Sequence, residues 1–286
     1  LSDATISPDK QTIVITDSQG RKILYYDLNG IFIKEQRFPP NLYFDSFYMH
    51  KNYNVLLAKS YLFKDAPKAS QKKPTADYAF KHFKLFNYII TPTDFSDTYI
   101  GFKPHNLYTE NIPLNKPFDL DNDTIYSTYA LNDTIFVIGR EQIWPKFFVN
   151  FGVNRIPREY TIGKDEDVLL KLYRDKDAKW AGVLDRIVIS KKFVGFSYGT
   201  AIKFENSSLY LTSSKQTINF NQVENDINGG PLGIIAGKYS DDTLIGFMEA
   251  YEFLKNPRGE CSPEITNMLN SVEHNDNPIL TIIKVK

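Results

Sequence analysis

One cysteine, Cys261, stands in the 286 residues, so no internal disulfide can form. Such scarcity of thiols suits an exported protein, because stray thiols are a liability in an oxidising compartment. Net charge is also absent: Lys+Arg and Asp+Glu are both 34. Without a cationic excess, the electrostatic case for nucleic acid or an anionic membrane falls away. No run approaches the ~18 apolar residues of a membrane-spanning helix. The histidines are only His50, His82, His105 and His274. No two stand at metal-ligand spacing and there is no HExxH, so surface or core histidine is the better reading and no metal site is assigned.

What the chain does have is strand chemistry. Hydrophobic residues make up 42% and aromatics 14%, enough for a packed core and enriched in the types that favour strands. The opening stretch TIVITDSQGRKILYYDLNGIFIKEQ (12–36) reads as three strands joined by tight turns. Thr12 to Thr16 is β-branched throughout. Asp17-Ser18-Gln19-Gly20 is turn chemistry, with Gly20 able to take positive φ. Asn29-Gly30 between apolar runs is the strongest short hairpin signal. Ile13 and Ile15 point one way and Val14 the other, so the sheet must be covered on both faces. A meander stacked between copies of itself meets that need.

Degenerate copies follow at 82–102, 134–152, 186–204, 208–222 and 233–247. Meanders repeating every ~40 to 50 residues predict an all-β chain, a β-propeller of six blades, each a four-stranded antiparallel sheet. A β-sandwich or two small β domains is the alternative. The whole of 1–286 is expected to be a single domain. Short helices are expected in the inter-strand excursions. Asp165-Glu166-Asp167 precedes Leu169, Leu172 and Tyr173 at helical spacing, and Ser262-Pro263 is an N-cap and N1 pair ahead of Ile265, Met268, Leu269 and Val272. FMEAYEFLKNP (247–257) suits helix or strand. NDNPILTIIKVK ends the chain on a strand that is well placed to complete a blade.

Four stretches carry a family resemblance. DSQGRKILYYDLNGIFIKE, LNDTIFVIGREQIWPKFFVNFG, NDINGGP (225–231) and DNPILTIIKVK resemble the motifs of a bacterial family of exported six-bladed β-propeller proteins, lipoproteins of unknown function. Asn228 stands where that family usually has Asp. The resemblance implies the fold and export to the periplasm or cell surface, with a lipid anchor on the precursor. The chain begins at Leu1 rather than Met, and is read as a form from which a signal or anchor segment, and a first strand, are missing. The resemblance brings no catalytic residues.

Candidate chemistry is thin. GFSYG (195–199) fits the Gly-x-Ser-x-Gly nucleophile elbow, with Asp242 and His274 following in order. That motif works only on a strand-to-helix turn, and strand-like sequence continues through Phe204. The acidic turns Asp119–Asp123 and Asn225–Gly229 place oxygen side chains at alternate positions, which suits Ca²⁺, although Asx residues form turns unaided. Trp144 and Trp180 could stack on sugar rings, with blade packing as the ordinary alternative. Asp226, Asn228, Trp144 and Trp180 are therefore the candidate binding residues, and no catalytic residue is assigned. The function expected is a non-catalytic binding or interaction propeller, monomeric, without a cofactor, for a carbohydrate or a protein partner. The alternatives are a propeller hydrolase or lyase acting on sugars or lactones at the channel mouth, and a purely structural part of a surface assembly.

Residues 64–81 (KDAPKASQKKPTADYAFK) lack an aliphatic cluster and read as a solvated excursion that could contact a partner. Deleting 66–78 is therefore expected to leave the melting temperature nearly unchanged while abolishing partner capture. A large loss of stability in a thermal melt would instead place the segment in the core.

Overall fold

The computed structural model describes residues 3–17, 20–38, 44–58, 88–95, 100–102, 114, 116–129, 132–156, 180–200, 203–220, 234–255 and 261–285. It is an all-β fold of the β-propeller kind, made of antiparallel meanders whose strands neighbour one another in sequence order. Sheet 1 holds β1 (Asp3–Ile6), β2 (Thr12–Asp17), β3 (Lys22–Asp27) and β4 (Phe32–Arg37). Sheet 2 holds β5 (Phe44–Met49), β6 (Asn54–Ala58), β7 (Tyr88–Thr91) and β8 (Ile100–Phe102). Sheet 3 holds β9 (Phe118–Asp121), β10 (Thr124–Ser127), β11 (Thr134–Ile138) and β12 (Ile143–Phe148). Sheet 4 holds β13 (Ala181–Ile189), β14 (Phe193–Thr200), β15 (Lys203–Leu211) and β16 (Gln216–Phe220). Sheet 5 has β17 (Ile234–Ser240), β18 (Thr243–Met248) and β19 (Ile279–Lys284), with helices α1 (Ala250–Lys255) and α2 (Pro263–Ser271) between the last two. The chain forms two compact units, residues 1–185 with 199–203, and residues 186–198 with 204–286.

The described residues thus make five sheets, not six, and sheet 5 has three strands. An even period overcounts because the spacing is uneven: residues 59–87 separate β6 from β7 within one sheet, and residues 149–180 separate β12 from β13. The excursion 64–81 and the acidic-start helix near 165–173 lie outside the described residues.

Turn chemistry explains the hairpins. Asp27 Oδ1 accepts from the amides of Asn29 (2.9 Å) and Ile31 (2.8 Å), and Gly30 takes φ 82°. At the preceding turn the expected role of Gly20 is corrected. The left-handed residue there is Arg21, at φ 56°, and the Gly20 amide donates to Asp17 Oδ1 at 2.8 Å. Helix α2 starts as its sequence predicts, with Ser262 Oγ accepting from the Ile265 amide at 3.4 Å and Pro263 in the first turn. The ambiguous stretch 247–257 is divided: Phe247 and Met248 end β18, Ala250–Lys255 is helical and buries Ala250 and Phe253, and 256–257 lie outside the described residues.

Within the first unit the two-sided burial is visible along one strand. Leu56 of β6 packs with Val14, Ile23 and Tyr25 of sheet 1 and with Phe44, Phe47 and Phe95. Its neighbours Val55 and Leu57 face the other way, into Phe118, Ile125 and Phe136 of sheet 3. This is the period-two alternation of a strand, with both faces spent on core. Aromatic rings fill both interfaces: Phe38 meets Phe44 edge-on at 4.7 Å between centroids, and Tyr129 stacks on Phe136 at 5.6 Å. The edge strands β4, β12 and β16 are largely exposed. Truncating Leu56 to Ala removes packing at a fully buried position, and is expected to cost about 2–5 kcal/mol. Urea denaturation of the variant, read as a drop in midpoint at unchanged m, checks this.

Candidate binding cleft

The interface between sheets 4 and 5, in the second unit, is packed differently. At one end the sheets are tied together. Ser190 Oγ donates to the Asp241 carbonyl at 3.0 Å and accepts from the amides of Lys192 and Phe193, both at 3.1 Å. Lys238 Nζ donates to the Ile189 carbonyl, and Lys192 pairs with Asp242 at 3.3 Å. Val188, Phe193 and Leu244 form the apolar core of this interface, with Leu209 and Ile235 packed against it.

Away from the tied end, packing gives way to a cleft. Val188, Leu209, Ile235 and Leu244 are among its apolar lining residues, with Phe196 and Phe220, and Arg186, Ser197, Ser207 and Ser208 are the polar ones. Ser207 and Phe220 are cross-strand partners, and the Oγ atoms of Ser197 and Ser207 are 3.4 Å apart. The cavity itself measures about 20 Å³, room for roughly one water molecule. Gly195 has no side chain, and a Cβ there would meet only Leu209 Cδ1 at 3.5 Å and two carbonyl oxygens beyond it.

Arg186 departs from its strand in two ways. It is half-buried in a run of β13 whose neighbours Asp185 and Ile187 are fully buried. Its backbone is left-handed, at φ 49°, a conformation that costs a non-glycine residue roughly 1–2 kcal/mol. It has no ion-pair partner among the described residues.

The elbow motif lacks its structural context. Ser197 lies inside β14, and the chain continues into β15 rather than a helix. The other would-be triad members are engaged elsewhere. His274 is exposed and contacts Asn275 at 3.2 Å. Asp242 accepts from Ser240 Oγ at 2.8 Å and Thr243 Oγ1 at 3.0 Å, and these bonds with Lys192 lower its pKa to about 2. Among the described residues, those lining the cleft include no His, Asp or Glu.

Of the candidates read from sequence, Asp226 and Asn228 lie outside the described residues, as do His82 and His105. Trp144 sits on the edge strand β12, 40% exposed, with its ring over Gly139. Trp180 is half-buried just before β13. Neither lines the cleft. The acidic turn 119–123 spreads its carboxylates apart: Asp123 pairs with Lys51 at 2.6 Å and Asp119 with Lys116 at 3.5 Å. Its tight reversal comes from Asn122 and Asp123, both left-handed, at φ 46° and 62°.

His50 packs beside that turn, 8% exposed, its ring stacked on Tyr53 at 4.4 Å. Its Nδ1 accepts from the Asn52 amide at 3.4 Å, and its buried Nε2 has no partner among the described residues. Burial lowers its pKa below the ordinary 6.5, against the opposing pull of Asp123. The unfolded chain then takes up the proton first, so the stability that His50 contributes above pH 6.5 is lost as the pH falls through its folded value. Urea melts between pH 7.5 and 5 are expected to show this decline, and His50→Gln is expected to flatten it.

Comparison with known proteins places this geometry in context. The chain is similar to a crystal structure of a protein from Bacteroides fragilis inferred to be exported, with TM-score 0.68 and 15% identity over 100% of this chain and 77% of that one. It is more distantly similar to the virginiamycin B lyase of Staphylococcus aureus, at TM-score 0.44 and 12% identity, over 85% of this chain and 61% of the lyase. A β-propeller domain of Cps50 (Swd1) from Myceliophthora thermophila gives TM-score 0.41 and 10% identity, over 86% and 62% of the two chains. No curated protein matches the sequence. The sequence profile of a family described as a domain of unknown function, DUF4934, matches residues 1–284.

Proposed function

The chain belongs to the DUF4934 family, whose description carries no activity, and from its cleft we propose that it is a single-domain, non-catalytic binding propeller. It works as a monomer outside the cytoplasm, at the periplasm or cell surface, held there by a lipid anchor on the precursor. The exported description of the Bacteroides fragilis protein and the family resemblance of the sequence support that location. It binds its ligand without a cofactor. Its ligand is a carbohydrate or a protein partner.

One observation carries the reading. Where the interfaces of the first unit are filled by phenylalanine and tyrosine, the interface of sheets 4 and 5 puts Gly195, Ser197 and Ser207 on the facing strands. Small polar residues at inward positions leave space and hydrogen-bonding capacity together, which is the composition of a recognition site.

A panel of monosaccharides and short carboxylic acids, screened by thermal shift, is expected to contain a compound that raises the melting temperature of the wild type. Gly195→Val, filling the cleft from a strand position that suits a β-branched side chain, is expected to fold normally and lose that shift. The compound is expected to be recovered chemically intact. Its conversion would overturn the non-catalytic reading, and an undiminished shift in the variant would move the site elsewhere.

A further inference from the structure

We propose that the open edge of β19 receives a fourth strand for sheet 5, supplied by the segment of this protein that precedes residue 1. Sheets 1 to 4 each hold four strands, and sheet 5 holds three among the described residues. β19 is thus the third strand of its sheet. Elsewhere the third strand is paired on both sides, as β7 is with β6 and β8, and β11 with β10 and β12. Such strands are apolar: β7 reads YIIT and β11 reads TIFVI. β19 reads ILTIIK, the same kind of sequence placed at an edge.

The strands that end sheets 1 to 4 are suited to an edge. β4 carries Lys34, Glu35 and Arg37, with a register shift against it in β3. β8 is three residues long. β12 contains Pro145 and pairs with β11 through a register shift. β16 is mostly polar, with Gln216, Thr217 and Asn219. Charge, shortness, proline and bulges each discourage a further strand from pairing. β19 has none of these features. It runs six residues in unbroken register with β18, and its one charge, Lys284, stands at the end.

The free side of β19 dictates what fits it. The Val285 amide donates to the Asp242 carbonyl at 2.7 Å, on the β18 side. Backbone groups alternate in direction along a regular strand, so the amides of Leu280, Ile282 and Lys284 point away from β18. The side chain of Ile283 packs against Val188 and Leu244, whereas Leu280 and Ile282 are 71% and 72% exposed. Free donors beside two apolar side chains select an extended segment with apolar residues at alternate positions. Lys284 favours an acidic residue opposite it. The other strand pairs of sheet 5 are antiparallel, and the added strand continues that order. The four complete sheets are built from this one polypeptide, and a tethered segment acts at a raised effective concentration, with no second molecule needed. The Bacteroides fragilis structure, similar over all of this chain, has further chain beyond the match, since 77% of it is covered.

The test compares residues 1–286 with the longer natural protein that keeps its own preceding residues, by amide hydrogen exchange. The amides of Leu280, Ile282 and Lys284 are expected to exchange at least about tenfold more slowly in the longer protein, and its melting temperature to be higher. Ile282→Pro removes one outward donor at an edge position, where proline is accepted. It is expected to leave the melting temperature of residues 1–286 nearly unchanged and to cancel the gain in the longer protein. Equal exchange of the three amides in both proteins would overturn the proposal. So would slow exchange in residues 1–286 alone. If that protection grew with protein concentration, a second copy would be the occupant, and if it did not, another part of residues 1–286 would be.

Discussion

Everything in this fold depends on sheets whose two faces are both apolar. β6 shows the constraint at its simplest: Leu56 turns to one neighbouring sheet while Val55 and Leu57 turn to the other. A strand of that composition is unstable as a lone meander, because half of its apolar side chains would face water. Each sheet therefore needs another against it. Repetition of one small unit is how the chain supplies those partners.

The same constraint explains why a relaxed interface stands out. Aromatic rings close the contacts made by sheets 1, 2 and 3 of the first unit. Between sheets 4 and 5, the backbone at one end is drawn together by Ser190 and Asp241, and the apolar cluster around Val188 and Leu244 continues from there. Beyond it, sheet 4 places Gly195, Ser197 and Ser207 among the residues lining a small cleft. Arg186 stands at this place with a backbone that a glycine would adopt more easily.

Much of the local structure was legible in advance. Asp27, Asn29 and Gly30 form a turn from their own backbone bonds, and Ser262-Pro263 starts a helix from contacts three residues apart. Neighbours along the chain suffice for both. The continuation of strand-like sequence after Ser197 also argued against a nucleophile elbow, and β15 follows there. The blade count was not legible, because uneven spacing such as that between β6 and β7 breaks an even period. Nor was the reason for Gly20. The left-handed conformation at that turn belongs to Arg21, while the Gly20 amide donates to the Asp17 carboxylate, and only atomic positions distinguish those roles. Trp144 drew attention by type, yet its ring covers a glycine in its own hairpin.

The sequence by itself determined the all-β architecture, the repeated meander and the turn positions, since alternation, β-branching and Asx-Gly chemistry act over a few residues. Tertiary structure alone decided the cleft. Arg186, Ser197, Ser207, Ile235 and Leu244 come from five different strands, and no local pattern marks them as neighbours. A serine facing solvent and a serine facing an interior gap look alike along the chain. Which of them lines the cleft depends on how two sheets are packed, a long-range outcome.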